Sequence, residues 1–247
     1  MSIETEQDLE GMKRVGRIVR ICIERMKRAV RPGVTTAELD RIGGQALREH
    51  GARSAPKLVY GFPADMLISV NDQAVHGIPG ARRLRDGDLV KLDVTVEKDG
   101  YMADAAVTVP VGRVPEERRA LVAAARAAFE KAMEVATVGN PVNAIGRAVE
   151  GEVKRRGFNV ARDLAGHGIG RTIHEAPSVP NHYDARLRQP LTEGLVIAVE
   201  PIVTERSGRT VEDADGWTVR TADGGFTAHY EHTIVITRGR PLLLTAA

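Results

Sequence analysis

Asp93, Asp104, His167, Glu200 and Glu231, spread over more than half of the chain, have the types and settings that hydrolytic chemistry needs. Four are carboxylates set in apolar, β-branched runs. Asp93 interrupts Leu89-Val-Lys-Leu-Asp-Val-Thr-Val96, and Glu200 ends Leu195-Val-Ile-Ala-Val-Glu200. Asp104 opens Asp104-Ala-Ala-Val-Thr-Val109, and Glu231 opens Glu231-His-Thr-Ile-Val-Ile236. A charge held inside a strand is costly without a partner, and the nearby sequence supplies few lysines or arginines. Bound metal ions would neutralise such a set, and four carboxylates with one imidazole suffice for two. Hard oxygen donors with one imidazole suit Mn, Fe, Co, Zn or Mg. A pair of such ions polarises a carbonyl and lowers the pKa of a bridging water to about 7, which is machinery for hydrolysis. Taken singly, each acid also reads as a solvated strand end or a simple salt bridge; the set favours metal.

Alternate residues of a strand share a face. Asp93 therefore shares one with Lys91 and Thr95, Glu200 with Ala198, and Asp104 with Ala106. Small neighbours leave space for ions and water. His167 lies in Gly166-His-Gly-Ile-Gly170, where the glycines allow close backbone approach. The spacing does not fit a dinucleotide fingerprint, and no strand-to-helix transition follows. His76 and His174 sit in Val75-His-Gly-Ile-Pro79 and Arg171-Thr-Ile-His-Glu-Ala-Pro177, where ordinary loop histidines are the rival reading. His50 and His182 are expected to be ordinary. His229 and His232, flanking Glu231, are expected to point away from it and to play structural or supporting parts.

The elements that must position these residues are partly legible. Leu9, Met12, Val19, Ile23, Met26 and Val30 recur at helical spacing until Pro32-Gly33. Thr35-Thr-Ala-Glu38 reads as a capping box opening a helix to about Gly51. Strand and turn texture follows from Val59. Pro115 to about Val138 is helical, Gly139-Asn-Pro141 breaks it, and Asn143 is expected to cap a helix ending near Gly157. The remainder reads as strand and loop.

The chain also carries a diverged internal repeat. Val75-His-Gly-Ile78 resembles Gly166-His-Gly-Ile169, and Gly87 and Gly194 each stand six residues before an acid, Asp93 and Glu200. After each of these acids a second strand carries another, Asp104 or Glu231. Two such halves packed face to face would bring all four carboxylates together. No Ser/Pro/Gly linker divides the halves, so residues 1–247 are expected to form a single domain.

Longer stretches carry a family resemblance over the whole chain. Asn71-Asp-Gln-Ala-Val-His-Gly-Ile-Pro79, Leu92-Asp-Val-Thr-Val-Glu-Lys-Asp-Gly100, Gly166-His-Gly-Ile-Gly-Arg171, His174-Glu-Ala-Pro177, Val199-Glu-Pro201, Asp215-Gly-Trp-Thr-Val219 and Tyr230-Glu-His-Thr-Ile-Val-Ile236 resemble bacterial type I methionine aminopeptidases. The resemblance implies the α+β pita-bread fold, with two pseudo-symmetric halves around a dinuclear metal site. It implies removal of the N-terminal methionine from new polypeptides whose second residue is small. By the same resemblance, Asp93 would chelate one ion, Asp104 and Glu231 would bridge both, and His167 and Glu200 would complete the other. Glu200 would also be the acid/base, His76 would contact the departing amide nitrogen, and His174 would hydrogen-bond the scissile carbonyl oxygen or a neighbouring peptide group. The implied cofactors are two divalent ions, Co, Mn, Fe or Zn.

The implied methionine pocket departs from the family pattern. Its wall would be Phe62, Leu67, Ile173 and Trp217, with Val59 nearby. Family members often carry Cys where Leu67 stands, Phe where Ile173 stands, and Cys or Pro near Pro56. Leu and Ile still line a slot for a thioether but change its shape. Trp217 as an ordinary core aromatic is the rival reading. Val75 replaces a frequent Cys, and Ala176 stands where a second Glu is common.

Bulk properties set the remaining bounds. The formal charge of +2 and the scattered basic residues do not indicate a nucleic-acid partner. The single cysteine, Cys22, excludes a disulfide framework. The polar start is no signal peptide and no apolar run suits a membrane, so a cytoplasmic monomer is expected. Its partner would be the N-terminal Met of nascent chains, compatible with transient ribosome contact, though without a zinc-binding or Pro-rich docking extension. Rival readings are a prolidase or aminopeptidase P, which usually carry a further N-terminal domain; a non-catalytic binding relative, which would generally have lost ligands; and a paralogue with a drifted substrate range.

Overall fold

The computed structural model describes residues 1–246; Ala247, the last residue of the expected single domain, lies outside the described residues. Helix α1 (Glu6–Ala29) starts at a Thr5–Asp8 capping box that the apolar spacing alone did not locate. Helix α2 (Thr36–Glu49) starts at the expected Thr35–Glu38 box. A short helix, α3 (Ala55–Tyr60), is nucleated by the Ser54 cap with Pro56 in its first turn and ends at Gly61 in the left-handed region. It occupies part of what read as strand texture. Helices α4 (Glu116–Val135) and α5 (Asn143–Arg155) follow. Asn143 is not the cap of α5. Val142 takes that place without a side-chain bond, and the Asn143 amide instead donates to the Asp184 carbonyl at 3.0 Å.

The strands form a large sheet and two small ones. Its centre is a long hairpin, β4 (Leu89–Lys98) and β5 (Tyr101–Pro110), with β1 (Arg53–Ser54) and β2 (Leu67–Val70) paired to β4. β3 (Gln73–Val75) leads instead to a small sheet. Beyond the second pair of helices come β6 (Asn159–Val160), β7 (Ala165–Gly168), β8 (Glu175–Pro180) and β9 (Val196–Val199). Then follow β10 (Ile202–Thr204), β11 (Thr210–Glu212), β12 (Val219–Thr221), β13 (Thr227–His229), β14 (Glu231–Val235) and β15 (Leu242–Leu243). Among the described residues the large sheet has nine strands, ordered β1-β4-β5-β14-β9-β7-β8 with β2 and β15 alongside. The small sheets are β13-β10-β6 and β11-β12-β3.

This topology joins the two halves of the repeat at the β5–β14 pair. Each half has its own core. Met12, Val19 and Met26 of α1 pack with Leu92 and Val94 of β4. Ala128 and Phe129 of α4 pack with Val149, Ile197 and Ile234. The repeat survives in the backbone: Gly87 and Gly194 both take positive φ. Their N–H groups donate to Val111 and Ile236 respectively, at 3.0 and 2.9 Å. Period-2 alternation does the rest. Leu92 and Val94 face a core, so Asp93 faces the opposite side; Ile197 and Val199 likewise turn Ala198 that way. The uncovered side is where the acids meet.

Candidate active site

Registry across the strands sets the floor of the site. Asp93 pairs with Ala106 in β5, and Ala106 is in turn opposite Glu231 in β14. Two carboxylates thus flank a methyl group, which leaves the centre open. One step along, Thr95 pairs with Asp104, and its hydroxyl donates to Asp104 Oδ2 at 2.7 Å. Asp104 does not open its strand as expected; it is the fourth residue of β5. There the β5–β14 ladder gives way to Thr233, whose hydroxyl accepts from the Asp104 N–H and donates to the Asp104 carbonyl, both at 2.8 Å. His167 on β7 is opposite Ala198 of β9, and Glu200 follows the end of β9. The close approach of β7 to its neighbours needs glycine: a Cβ on Gly166 would lie 2.4 Å from the Ala198 carbonyl oxygen, and one on Gly168 2.2 Å from that of Ala176.

The expected ligand set is therefore brought together. Asp93, Asp104, His167, Glu200 and Glu231 all line one cavity of ≈ 370 Å³ with His76 and His174. The salt-bridge alternative fails on the lysine nearest in sequence. Lys91 is fully buried, but its ammonium donates to the Asn71 carbonyl at 2.6 Å and to Thr227 Oγ1 at 2.9 Å. Among the described residues, the cationic-type contacts of Glu200 and Glu231 within 4.0 Å are to histidines. Asp104 Oδ1 and Glu231 Oε1 are buried without any hydrogen-bond partner. Orphaned carboxylate oxygens of this kind are ones that a bound cation would satisfy. Two groups have donor atoms mutually within 4.8 Å: Asp93, His229 and Glu231, and Asp104, His167 and Glu231. Glu231 is common to both. The residues present fit divalent metal.

The electrostatics agree. Burial, reinforced by the neighbouring carboxylates, holds Asp93, Glu200 and Glu231 well above the ordinary carboxylate range, and burial also raises Asp104. Burial pushes His76 and His174 down to about 4, with the other histidines adding to it, so both are neutral at pH 7. His167 accepts no proton easily either; burial lowers it. Its Nδ1 lies 2.9 Å from the Gly168 carbonyl, which places the proton there and leaves Nε2 free to bind a cation.

Above the floor stand the other two histidines. His76 takes φ 58°, the left-handed region that a non-glycine residue seldom adopts. The His174 ring packs against that of His167, centroids 4.2 Å apart, and Tyr60 Oη meets its Nδ1 at 2.6 Å. The apolar wall contains Phe62, Leu67, Ile173 and Trp217, as expected. Phe62 and Trp217 meet edge to face at 5.2 Å, so Trp217 is a wall residue and not a core aromatic. Val59 is exposed and does not line the cavity, whose wall is completed by Pro56, Tyr60, Val75 and Leu164.

His229 is the larger correction. It was expected to point away from Glu231, yet its Nε2 lies 3.2 Å from Glu231 Oε2 and 3.9 Å from Glu200 Oε2. Residues two apart in extended chain share a face, and the backbone passes from β13 through Tyr230 into β14. That parity was the signal for it. Burial, with His76 and Lys91 adding to it, pushes His229 down to about 3. His232 does point away, to Thr245 Oγ1 at 2.8 Å. His50 is ordinary, its Nδ1 on the Ala46 carbonyl at 2.9 Å, whereas His182 keeps a buried Nδ1 without a partner. Neither lines the cavity.

Comparison with known proteins bears on what this site does. The model of metallopeptidase family M24 matches residues 10–238. The chain is 44% identical to "Methionine aminopeptidase 2" of Bacillus subtilis, covering 99% of each. The solved methionine aminopeptidase of Thermotoga maritima superposes with a TM-score of 0.96 at 34% identity, covering 100% of both chains. Prolidase from Pyrococcus furiosus shares the fold alone, with a TM-score of 0.79 at 21% identity, and this chain covers 65% of it.

Proposed function

The chain belongs to metallopeptidase family M24 and has its pita-bread fold, and from that premise we propose that it removes the N-terminal methionine of new polypeptides whose second residue is small. The observation that carries the reading is the convergence of four buried carboxylates and His167 below an apolar wall. Asp93, Asp104 and Glu231 would hold one divalent ion, and Asp104, His167, Glu200 and Glu231 a second. Bound ions would supply Lewis acidity toward the scissile carbonyl and toward the attacking water.

The chain's own residues do the remaining work. Glu200 takes a proton from the attacking water and returns it to the departing amine. Neutral His76 hydrogen-bonds the departing amide nitrogen. Neutral His174, held by Tyr60, donates from its other ring nitrogen to the carbonyl oxygen as negative charge develops there. Phe62, Leu67, Ile173 and Trp217 enclose the methionine side chain and exclude water. We further propose that residues 1–247 act as one catalytic domain, a cytoplasmic monomer whose contact with ribosomes, if made, is transient. Among the described residues no helix is long and apolar enough to cross a membrane.

The test is cleavage of Met-Ala-Ser, Met-Phe-Ser and Ala-Pro-Ala by metal-stripped protein, with Co, Mn, Fe or Zn restored separately. Metal-dependent release of Met from the first peptide only is expected. Cleavage of the proline peptide would transfer the chain to the prolidase activity, and no cleavage with ions bound would contradict the reading.

A further inference from the structure

His229 has no place in the ligand set that the family resemblance implies, and it is 1% exposed at the floor of the site. Neither of its ring nitrogens has a hydrogen-bond partner. A polar group buried to this degree without a partner is costly. Its Nε2 is nevertheless only 3.2 Å from Glu231 Oε2. The separation suits a hydrogen bond, but the two groups are not aligned to make one. Two donor atoms this close and not bonded to each other can both bind one third atom. Donors about 2.1 Å from one ion stand about 3.0 Å apart at a right angle and about 3.4 Å apart at a tetrahedral angle. The observed spacing falls between these.

The partners are also right. Asp93, His229 and Glu231 have donor atoms within 4.8 Å of one another, and Asp104, His167 and Glu231 form a second such group. The second group already contains an imidazole. Without His229, the ion on Asp93 would have only carboxylate donors from the chain.

We infer that His229 Nε2 is a sixth protein ligand of the metal centre, binding the ion that Asp93 chelates. Each ion then has one imidazole, and Glu231 lies between them. A harder, all-oxygen site on the Asp93 side becomes a mixed N/O site, which favours Co, Fe or Zn over Mg there. This inference rests on the proposed metal centre.

The experiment uses the full chain with ¹⁵N-labelled histidine, freed of metal and reloaded with two equivalents of cobalt(II). Coordinated imidazoles are counted by NMR from their strongly hyperfine-shifted ring N–H signals. Two are expected, one lost in His167→Gln and the other in His229→Gln. Titration calorimetry should show His229→Gln weakening one of the two cobalt sites by at least about tenfold. A single coordinated imidazole, lost in His167→Gln and kept in His229→Gln, overturns the inference and leaves the centre standing; His229 would then only position Glu231. No coordinated imidazole overturns the metal centre itself. The count on the unmodified protein decides the matter even if a variant fails to fold.

Discussion

Asp93, Asp104 and Glu231 stand on strands paired on both sides, whereas Phe62, Ile173 and Trp217 hang from the loops after α3, β7 and β11. The floor is fixed by register: Asp93, Ala106 and Glu231 lie in one row across three strands, and a one-residue slip of any one strand would turn its own residue of the row into a core. The wall is fixed by side-chain contact, such as the Phe62–Trp217 pair. A rigid floor specifies the reaction. A loop-borne wall specifies which side chain enters, and it can change shape without disturbing the chemistry. Of the two departures from the common family pattern, Ile173 falls on this loop-borne part, whereas Leu67 reaches the wall from β2, in register with Asp93.

Substitutions on the floor should be the most damaging. Glu231→Ala removes the residue common to both candidate metal groups, and turnover of Met-Ala-Ser should fall by at least about 10³-fold, about 4 kcal/mol of barrier. Equilibrium dialysis of the same sample should show metal lost with activity. His76→Ala should cost about 10²-fold in kcat with metal retained. Loss of metal from that variant would make His76 a ligand and break the distinction between floor and substrate-facing residues.

A subtler effect comes from the protons on the floor. Burial keeps Asp93, Glu200 and Glu231 well above their ordinary values of 3.8 for Asp and 4.5 for Glu. The folded, metal-free protein therefore binds protons that the unfolded chain has released. Its stability should decline as pH rises above that range. Metal binding at neutral pH should expel those protons. Calorimetry in buffers of different ionisation enthalpy would measure the release, and an absence of buffer dependence would contradict the assigned burial of charge.

The smallest effects belong to the wall. Trp217→Ala should raise KM for Met-Ala-Ser about tenfold and change kcat less. Leu67→Ala should change the ratio of Met to Leu cleavage about tenfold, the low end of the ~10–200-fold, ~1–3 kcal/mol range of a methylene-scale change in a pocket. If Leu67→Ala emptied the metal site, the wall and the floor would not be separable.

The same contrast governs what could be read from the chain. Asp93 and Glu200 stand out because a carboxylate in a β-branched run is anomalous, and period-2 alternation fixes where it points. The Thr35 box, the helical spacing of α1 and the Ala- and Glu/Arg-rich composition of α4 are likewise local signals. Tyr60 was not legible, because its place beside His174 depends on how α3 packs against a loop more than a hundred residues away. Asn143 did not become the cap because the helix begins one residue earlier, with Val142 at the cap position, and the Asn143 side chain turns to donate to the Asp184 carbonyl. His229 was legible and misread: its parity with Glu231 is the signal used successfully for Asp93 and Thr95.

The central claim is that the buried carboxylates are gathered to hold metal that performs the cleavage. It is tested most directly by titrating metal-stripped protein with cobalt(II) and following Met release from Met-Ala-Ser in the same samples. Activity should be absent without metal and rise in proportion to bound cobalt until the site is full. Full activity in the stripped protein, or saturated metal with no Met released, would contradict it.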